Sequence, residues 1–187
     1  MSHDRASWLE LPVEVPEEMK GLFRKVESVL GFVPNVFVGY SIRPTHFKHW
    51  FGHFRELMFG ESELTRAERE MICLAVSAEN KCIYCLVAHG ADLREATGDP
   101  ILSDRISYDY RRAGLDERTL AILDYAVKLT LTPVECDEED VQNLREHGFS
   151  DQGIFDIAEV ASMFNFTNRL ASASGMLPNV QYHSMYR

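Results

Sequence analysis

Two cysteines and a histidine at helical spacing form the most chemically distinctive stretch of the chain. Cys82 and Cys85 stand three positions apart, and His89 follows four positions later. In a helix, steps of three and four residues place side chains on one face, and Leu86 and Leu93 extend this face with apolar groups. A dithiol beside a potential base, partly sheltered from water, is typical of a redox site.

The chemistry of this stretch depends on forming a thiolate, because a protonated thiol is a slow nucleophile. The partial positive charge of a helix N-terminus should lower the pKa of Cys82 and, less directly, that of Cys85. His89, one turn after Cys85, can accept the Cys85 proton. Once Cys85 is oxidised to a sulfenic acid, Cys82 can resolve it as a disulfide, which an external dithiol would reopen.

Two acidic residues precede the thiols and could complete a proton relay. Glu70 lies beside the apolar stripe of the preceding helix, and its spacing alone favours a solvent-exposed boundary charge over a buried functional acid. Glu79, three residues before Cys82, either matches the dipole of the next helix or joins the relay. An acid that orients His89 or relays its proton would complete the set.

The rest of the chain is predicted to consist of helices that hold this face in place. A capping box at Thr65–Glu68 marks one helix start, and no alternating strand pattern with hairpin turns occurs. The sequence predicts one all-α domain over residues 1–187, with an N-terminal arm (1–15), a C-terminal tail (175–187) and seven or eight helices. The predicted helices cover about 16–30, 45–59, 66–78, 82–96, 101–112, 115–131, 137–146 and 150–174.

Two pairs of similar segments predict a weak internal duplication. Leu115–Thr119 resembles Leu64–Glu68 at the start of a helix, and Leu177–Val180 resembles Val33–Val36.

Composition excludes several classes of function. The chain has 187 residues, 45% of them hydrophobic, and a net charge of −10, which argues against a nucleic-acid partner. No apolar run is long enough to span a membrane, and the first residues show no signal-peptide pattern, so we expect a cytoplasmic protein. Four cysteines in a chain of this length are not a disulfide framework. Cys73 is expected to be an inert core thiol, and acidic neighbours should raise the pKa of Cys136.

The combined pattern resembles the alkylhydroperoxidase AhpD-like group of the carboxymuconolactone decarboxylase superfamily, in its uncharacterised peroxidase-related branch. The residues that carry the resemblance are Cys-x-x-Cys-x-x-x-His at 82–89 and Glu70, twelve positions before Cys82. The segments Gly31–Phe37 and Phe164–Leu170 agree with it, and the resemblance spans about residues 20–180.

The resemblance implies an all-helical, cofactor-free thiol peroxidase without a metal. It further implies a homo-oligomer (dimer, trimer or hexamer), a hydroperoxide substrate and a dithiol or protein reductant. By this resemblance Cys85 is the peroxidatic thiol and Cys82 the resolving thiol. His89 passes the proton and Glu70 joins the relay.

Two further positions are possible relay or pocket residues. Tyr84 stands where the best-known family members carry a histidine, and tyrosine donates a hydrogen bond but is a poor base at neutral pH. The relay therefore has one fewer imidazole. Asn165 interrupts the apolar stripe of the last helix, where it either bridges helices or lines the pocket.

Three other functions stay open at this stage. Cys82, Cys85 and His89 could bind zinc, with Glu70 or water as the fourth ligand. The same disulfide could serve a non-enzymatic redox-sensing or oligomeric binding protein. A carboxymuconolactone decarboxylase-like activity is the third, although a thiol pair is superfluous to that chemistry.

Overall fold

The structure is a computed structural model that describes residues 6–187, so the first five residues of the predicted arm lie outside it. No strand occurs in this range, which confirms the all-α prediction. Its α-helices are α1 Glu17–Leu30, α2 Asn35–Tyr40, α3 Pro44–Phe59, α4 Arg66–Glu79, α5 Ile83–Thr97, α6 Leu102–Asp109, α7 Glu117–Leu131, α8 Glu138–Glu146 and α9 Asp151–Ser174. Short 3-10 turns lie at Tyr110–Arg112, Pro133–Glu135 and Val180–His183.

One helix was missed by the sequence prediction. No helix was predicted between residues 30 and 45, whereas α2 begins directly after Pro34 and runs for six residues. Fewer than two helical turns give no periodic apolar pattern that could be recognised. The other predicted helices are confirmed, and their ends differ by a few residues at most.

Side-chain caps fix several helix starts where the sequence predicted them. The Thr65 hydroxyl accepts from the Glu68 N–H at 3.2 Å, and the Glu68 carboxylate accepts from the Thr65 N–H at 2.7 Å, which completes the predicted capping box. Ser150 caps α9 by accepting from the Gly153 N–H at 3.3 Å. These bonds satisfy amides that have no partner within the helix.

Helix α4 lies at the centre of the fold. Ten consecutive residues, Glu68–Ser77, are buried, and α5, α6, α7 and α9 all pack against this helix. A helix that is covered on every side places even the polar side chains of its sequence inside the protein. Among the helices of residues 6–187, none has an apolar stretch long enough to cross a bilayer.

The two similar Pro-Asn segments contact each other. The Asn35 N–H donates to the side-chain oxygen of Asn179 at 2.7 Å, and the Asn179 amide donates to the Val33 carbonyl at 3.0 Å. The Asn35 amide donates in turn to the Leu177 carbonyl at 2.8 Å. The pairing ties the chain before α2 to the chain after α9.

The C-terminal segment is packed into the fold rather than forming a loose tail. Arg94, which is 3% exposed, donates to the carbonyls of Tyr182 and Met185 at 2.9 Å each. The buried Tyr182 ring meets the Phe32 ring edge-on, with the ring centroids 5.0 Å apart. The segment thus closes over α5.

We expect Arg94→Met to lower the free energy of unfolding by roughly 2–4 kcal/mol, because it leaves the buried Tyr182 carbonyl and the part-buried Met185 carbonyl without their donor. Urea unfolding measures this change. The matched control is Arg112→Met, because Arg112 is 88% exposed and makes only a surface ion pair with Asp109, which is worth little. Equal stability of the two variants would contradict the anchoring role of Arg94.

Candidate active site

A tight turn between α4 and α5 places the two cysteines at the start of a helix. Lys81 adopts a left-handed conformation with φ of 55°, and the Cys82 N–H donates to the Ser77 carbonyl at 3.0 Å. Cys82 is therefore the N-cap of α5, one position before the first turn in which it was predicted. An N-cap side chain can accept hydrogen bonds from the free N–H groups of that turn.

The sulfur of Cys82 is stabilised as a thiolate. The Cys85 thiol contributes most to lowering its pKa, followed by the backbone N–H groups of Cys85 and Tyr84 and by the Ser172 hydroxyl. These neighbouring donors outweigh the effect of burial and lower the pKa of Cys82 to about 6. Both sulfurs belong to free thiols.

Of the two thiols, Cys85 is the one that stays protonated near neutral pH. Its thiol donates to Cys82, and this bond, together with burial, raises the pKa of Cys85 well above its ordinary value. The Asn168 amide acts in the opposite direction by favouring a negative sulfur. Near neutral pH the pair thus carries one negative charge, centred on Cys82, and one proton on Cys85.

A buried acid–imidazole pair lies next to the thiols. Oε2 of Glu70 is 2.8 Å from Nδ1 of His89, and Oδ2 of Asp92 is 3.6 Å from the same nitrogen. Burial disfavours a charged imidazole, but Cys73 and Glu70 outweigh it and raise the pKa of His89 well above its ordinary value. Burial raises the pKa of Cys73 to about 11, so this thiol is protonated at neutral pH and its charge acts on His89 only at higher pH. The close pairing with Glu70 favours the imidazolium form of the ring.

The burial of Glu70 corrects the prediction made from spacing. Glu70 is 2% exposed, so a solvent-exposed boundary charge was wrong. Because α4 is covered on all sides, a position next to its apolar stripe is also inside the protein. An ionised carboxylate at such a depth requires a partner, and His89 is that partner.

Cys73, which was expected to be an inert core thiol, lies next to Glu70 and His89. Its sulfur, a Glu70 carboxylate oxygen and a His89 ring nitrogen lie within 4.8 Å of one another, and all three residues are buried. Among the described residues, this is the group of three that could hold a metal ion. The zinc ligands predicted from the sequence were Cys82, Cys85 and His89, and of these only His89 belongs to the group. Thiolate, imidazole and carboxylate donors suit zinc.

A cavity of about 580 Å³ opens onto one face of α5. Cys85, Ala88, His89 and Asp92 line it, whereas Cys82 is not among the lining residues. The other walls come from α1, α2, α3, α9 and the C-terminal segment, and they carry aromatic rings from Phe37, Trp50, Phe51, Phe54, Phe59, Phe164 and Tyr182. A hydroperoxide that entered this cavity would meet the sulfur of Cys85.

The three possible relay or pocket residues have separate positions. The Tyr84 hydroxyl accepts from the Val36 N–H at 3.2 Å, and burial raises the Tyr84 pKa well above its ordinary value, so Tyr84 lines the cavity without acting as a base. Glu79 is the last residue of α4 and is not a lining residue. Asn165 does not line the cavity and instead donates to the Thr130 hydroxyl at 2.9 Å.

Two α9 residues lie beside the thiols: Asn168, which the sequence marked together with Asn165 as a polar break that either bridges helices or lines the pocket, and Ser172, which it did not identify as a site residue. Asn168 hydrogen-bonds to Cys85 and donates to the Ser77 hydroxyl at 2.9 Å, while Ser172 hydrogen-bonds to Cys82. Asn165, Asn168 and Ser172 follow one another at helical spacing on an otherwise apolar stripe. This run of polar residues was the available signal.

Comparisons with known proteins agree with the family resemblance. A family model for the carboxymuconolactone decarboxylase family matches residues 44–100, a range that includes all four residues predicted to be catalytic. A comparison with curated proteins gave no match.

Solved structures of similar chains extend this result to the whole protein. An uncharacterized peroxidase-related protein from Silicibacter sp. TM1040 is 43% identical over 100% of this chain and 99% of its own, with a TM-score of 0.96. An uncharacterized peroxidase-related protein from Ralstonia eutropha JMP134, described as an alkylhydroperoxidase AhpD core, is 39% identical over 98% of this chain and 97% of its own, with a TM-score of 0.94.

A more distant likeness concerns the fold alone. The debrominase Bmp8, solved in complex with 2,3,4-tribromopyrrole, is 17% identical over 96% of this chain and 97% of its own, with a TM-score of 0.79.

We expect the thiolate absorbance of the reduced protein to rise with a midpoint near pH 6, because hydrogen bonds stabilise the Cys82 thiolate. Cys82→Ser should remove this transition, and Ser172→Ala should move it to higher pH. Cys136→Ser is the matched control, because burial and nearby Asp140 raise the pKa of that thiol. A parent midpoint near the ordinary value of about 8.5 would contradict the assignment.

Proposed function

The chain belongs to the carboxymuconolactone decarboxylase family, in its AhpD-like peroxidase-related branch, and we propose that it is a thiol-dependent hydroperoxidase. The observation that carries the proposal is that two adjacent cysteines differ in their access to the cavity and in their pKa. Cys85 lines the cavity, while Cys82 beside it is held as a thiolate. Cys85 can therefore meet a peroxide and lose its proton to its neighbour.

In the first step Cys85 is the nucleophile. Its proton moves along the existing hydrogen bond to the Cys82 thiolate, and the Cys85 sulfur attacks the terminal oxygen of the hydroperoxide. An S–O bond forms and the O–O bond breaks, so that Cys85 becomes a sulfenic acid and an alkoxide leaves.

His89 acts as an acid in this step. As an imidazolium that lines the cavity, it can protonate the leaving alkoxide to give an alcohol. Glu70 touches neither sulfur nor substrate in this scheme; it is a positioning residue that orients the ring and keeps it charged. This role differs from that of a base for Cys85, because within residues 6–187 no hydrogen bond joins His89 directly to the Cys85 sulfur.

In the second step Cys82 resolves the sulfenic acid. The Cys82 sulfur attacks the Cys85 sulfur, an S–S bond forms, and the hydroxyl leaves as water after taking the proton that Cys82 had received. The balance is one hydroperoxide, one thiol–thiolate pair and one imidazolium proton giving an alcohol, water, a disulfide and neutral His89. A dithiol or protein reductant reduces the disulfide, and its two protons restore the thiol–thiolate pair and the imidazolium.

A redox sensor is the second candidate function, and one observation favours it. Cys82 and Cys85 are only 2% and 3% exposed, so a bulky reductant reaches the disulfide poorly. Slow reduction would store one oxidation event rather than support turnover.

A stoichiometric oxidation tests the proposal. Reduced protein, purified with a chelator, should lose two reactive thiols per chain when one equivalent of cumene hydroperoxide is added, and dithiothreitol should restore them. Cys85→Ser should abolish peroxide consumption, because the nucleophile at the cavity is removed. Cys82→Ser should permit at most one oxidation per chain, because no thiol resolves the sulfenic acid.

The controls separate the candidate functions. Cys136→Ser should behave as the parent does, since this thiol lies outside the cavity. Continuous consumption of peroxide with a dithiol indicates a peroxidase, whereas a single oxidation without turnover indicates a sensor. Unchanged consumption in Cys85→Ser would overturn the proposal.

A further inference from the structure

We propose that the substrate is the hydroperoxide of a long-chain carboxylic acid, whose carboxylate is bound by Lys25 and Arg55 while the peroxide group meets Cys85. This inference rests on the proposed function. It concerns the cavity walls formed by α1 and α3. These helices are distant in sequence from the thiols, and the proposed reaction gives their residues no role.

The size of the cavity indicates a large organic substrate. Hydrogen peroxide has twice the heavy atoms of water and would fill roughly 60 Å³, since a water molecule occupies about 30 Å³ in the liquid. The cavity measures about 580 Å³, within the range of sites that bind extended organic ligands. Its volume is thus about ten times what hydrogen peroxide requires.

The walls indicate that most of this substrate is apolar. Helix α1 contributes Leu22, Val26, Val29 and Leu30 at helical spacing, and α3 contributes aromatic rings. Val29 is 76% exposed and Phe59 is 61% exposed, so apolar surface continues from the cavity wall toward solvent. Covering such surface with a hydrocarbon chain is favourable.

Two cations in these walls indicate that the polar part of the substrate is negatively charged. Lys25 on α1 and Arg55 on α3 both line the cavity, and both are exposed. Neither side chain makes an ion pair or a hydrogen bond with another residue of the described chain. In a protein with a net charge of −10, two unpaired cations beside one apolar cavity are suited to an anionic group of a ligand.

The acid–imidazole pair indicates the orientation of such a ligand. The His89 ring is already paired with Glu70 at 2.8 Å, and Asp92, one turn further along α5, lies 3.6 Å from the same ring nitrogen. Within the described residues, a carboxylate placed there would meet no unpaired cation, whereas Lys25 on α1 and Arg55 on α3 are unpaired. The carboxylate therefore binds at Lys25 and Arg55, and the chain runs toward Cys85.

The test compares an acid with its ester. The hydroperoxides of linoleic acid and of methyl linoleate, each below its micelle concentration, differ only in the terminal charge, and tert-butyl hydroperoxide measures the activity that needs neither chain nor charge. We expect kcat/KM for the acid to exceed that for the ester. Lys25→Gln and Arg55→Gln should each reduce this preference roughly fivefold and leave tert-butyl hydroperoxide unaffected.

Matched controls come from the same helices. Arg24→Gln on α1 and Lys48→Gln on α3 remove the same charge from exposed positions that do not line the cavity, so the preference for the acid should persist. Equal kcat/KM for acid and ester in the parent, or an unchanged preference in Lys25→Gln and Arg55→Gln, would overturn the inference and point to a neutral apolar hydroperoxide.

Equilibrium binding separates this inference from the proposed reaction. Unoxidised oleic acid should bind the parent more tightly than methyl oleate does, and the difference should shrink in Lys25→Gln and Arg55→Gln. If tert-butyl hydroperoxide is not consumed, the proposed reaction fails while the binding comparison still decides the ligand class. Equal binding of oleic acid and methyl oleate would overturn the inference whatever the activity.

Discussion

The buried pair of Glu70 and His89 is the interaction on which the rest of the site depends. Removing two charges from water costs several kcal/mol per ion, and only close pairing offsets this cost. Here the pair is 2.8 Å apart and sits where α4 is covered by four other helices. An apolar pair would pack there at a lower desolvation cost, so the charges are best explained by chemistry at the adjoining cavity.

The α4–α5 connection links this pair to the thiols. Helix α4 carries the acid and α5 carries the imidazole, so the turn at Lys81 must let the two helices pack side by side. The same turn makes Cys82 the N-cap of α5. One local structure therefore aligns the charge pair and creates the helix terminus that stabilises a thiolate. Helix α9 completes the site through Asn168 and Ser172, which contact Cys85 and Cys82.

Spacing could predict those features that depend on one helix. The helix starts, the common face of Cys85 and His89, and the activation of Cys82 all follow from local periodicity and helix polarity. The burial of Glu70 could not be predicted in this way. Other helices cover α4 on every side, and these contacts join segments that are distant in sequence. Asn165 and Asn168 share one stripe, yet only Asn168 contacts a thiol. Such a difference depends on how α9 is rotated against α4.

The protonation state of His89 tests the central claim most directly. Ring-nitrogen chemical shifts, assigned with His89→Gln, report whether the imidazole is charged at each pH. The parent should hold the His89 proton to a pH above the ordinary value for histidine, because Cys73 and Glu70 raise its pKa. In Glu70→Gln the ring should lose its proton at a lower pH than in the parent, since its carboxylate partner is gone. A parent ring that titrates near the ordinary value of about 6.5, or equally in both proteins, would contradict an imidazolium held by Glu70.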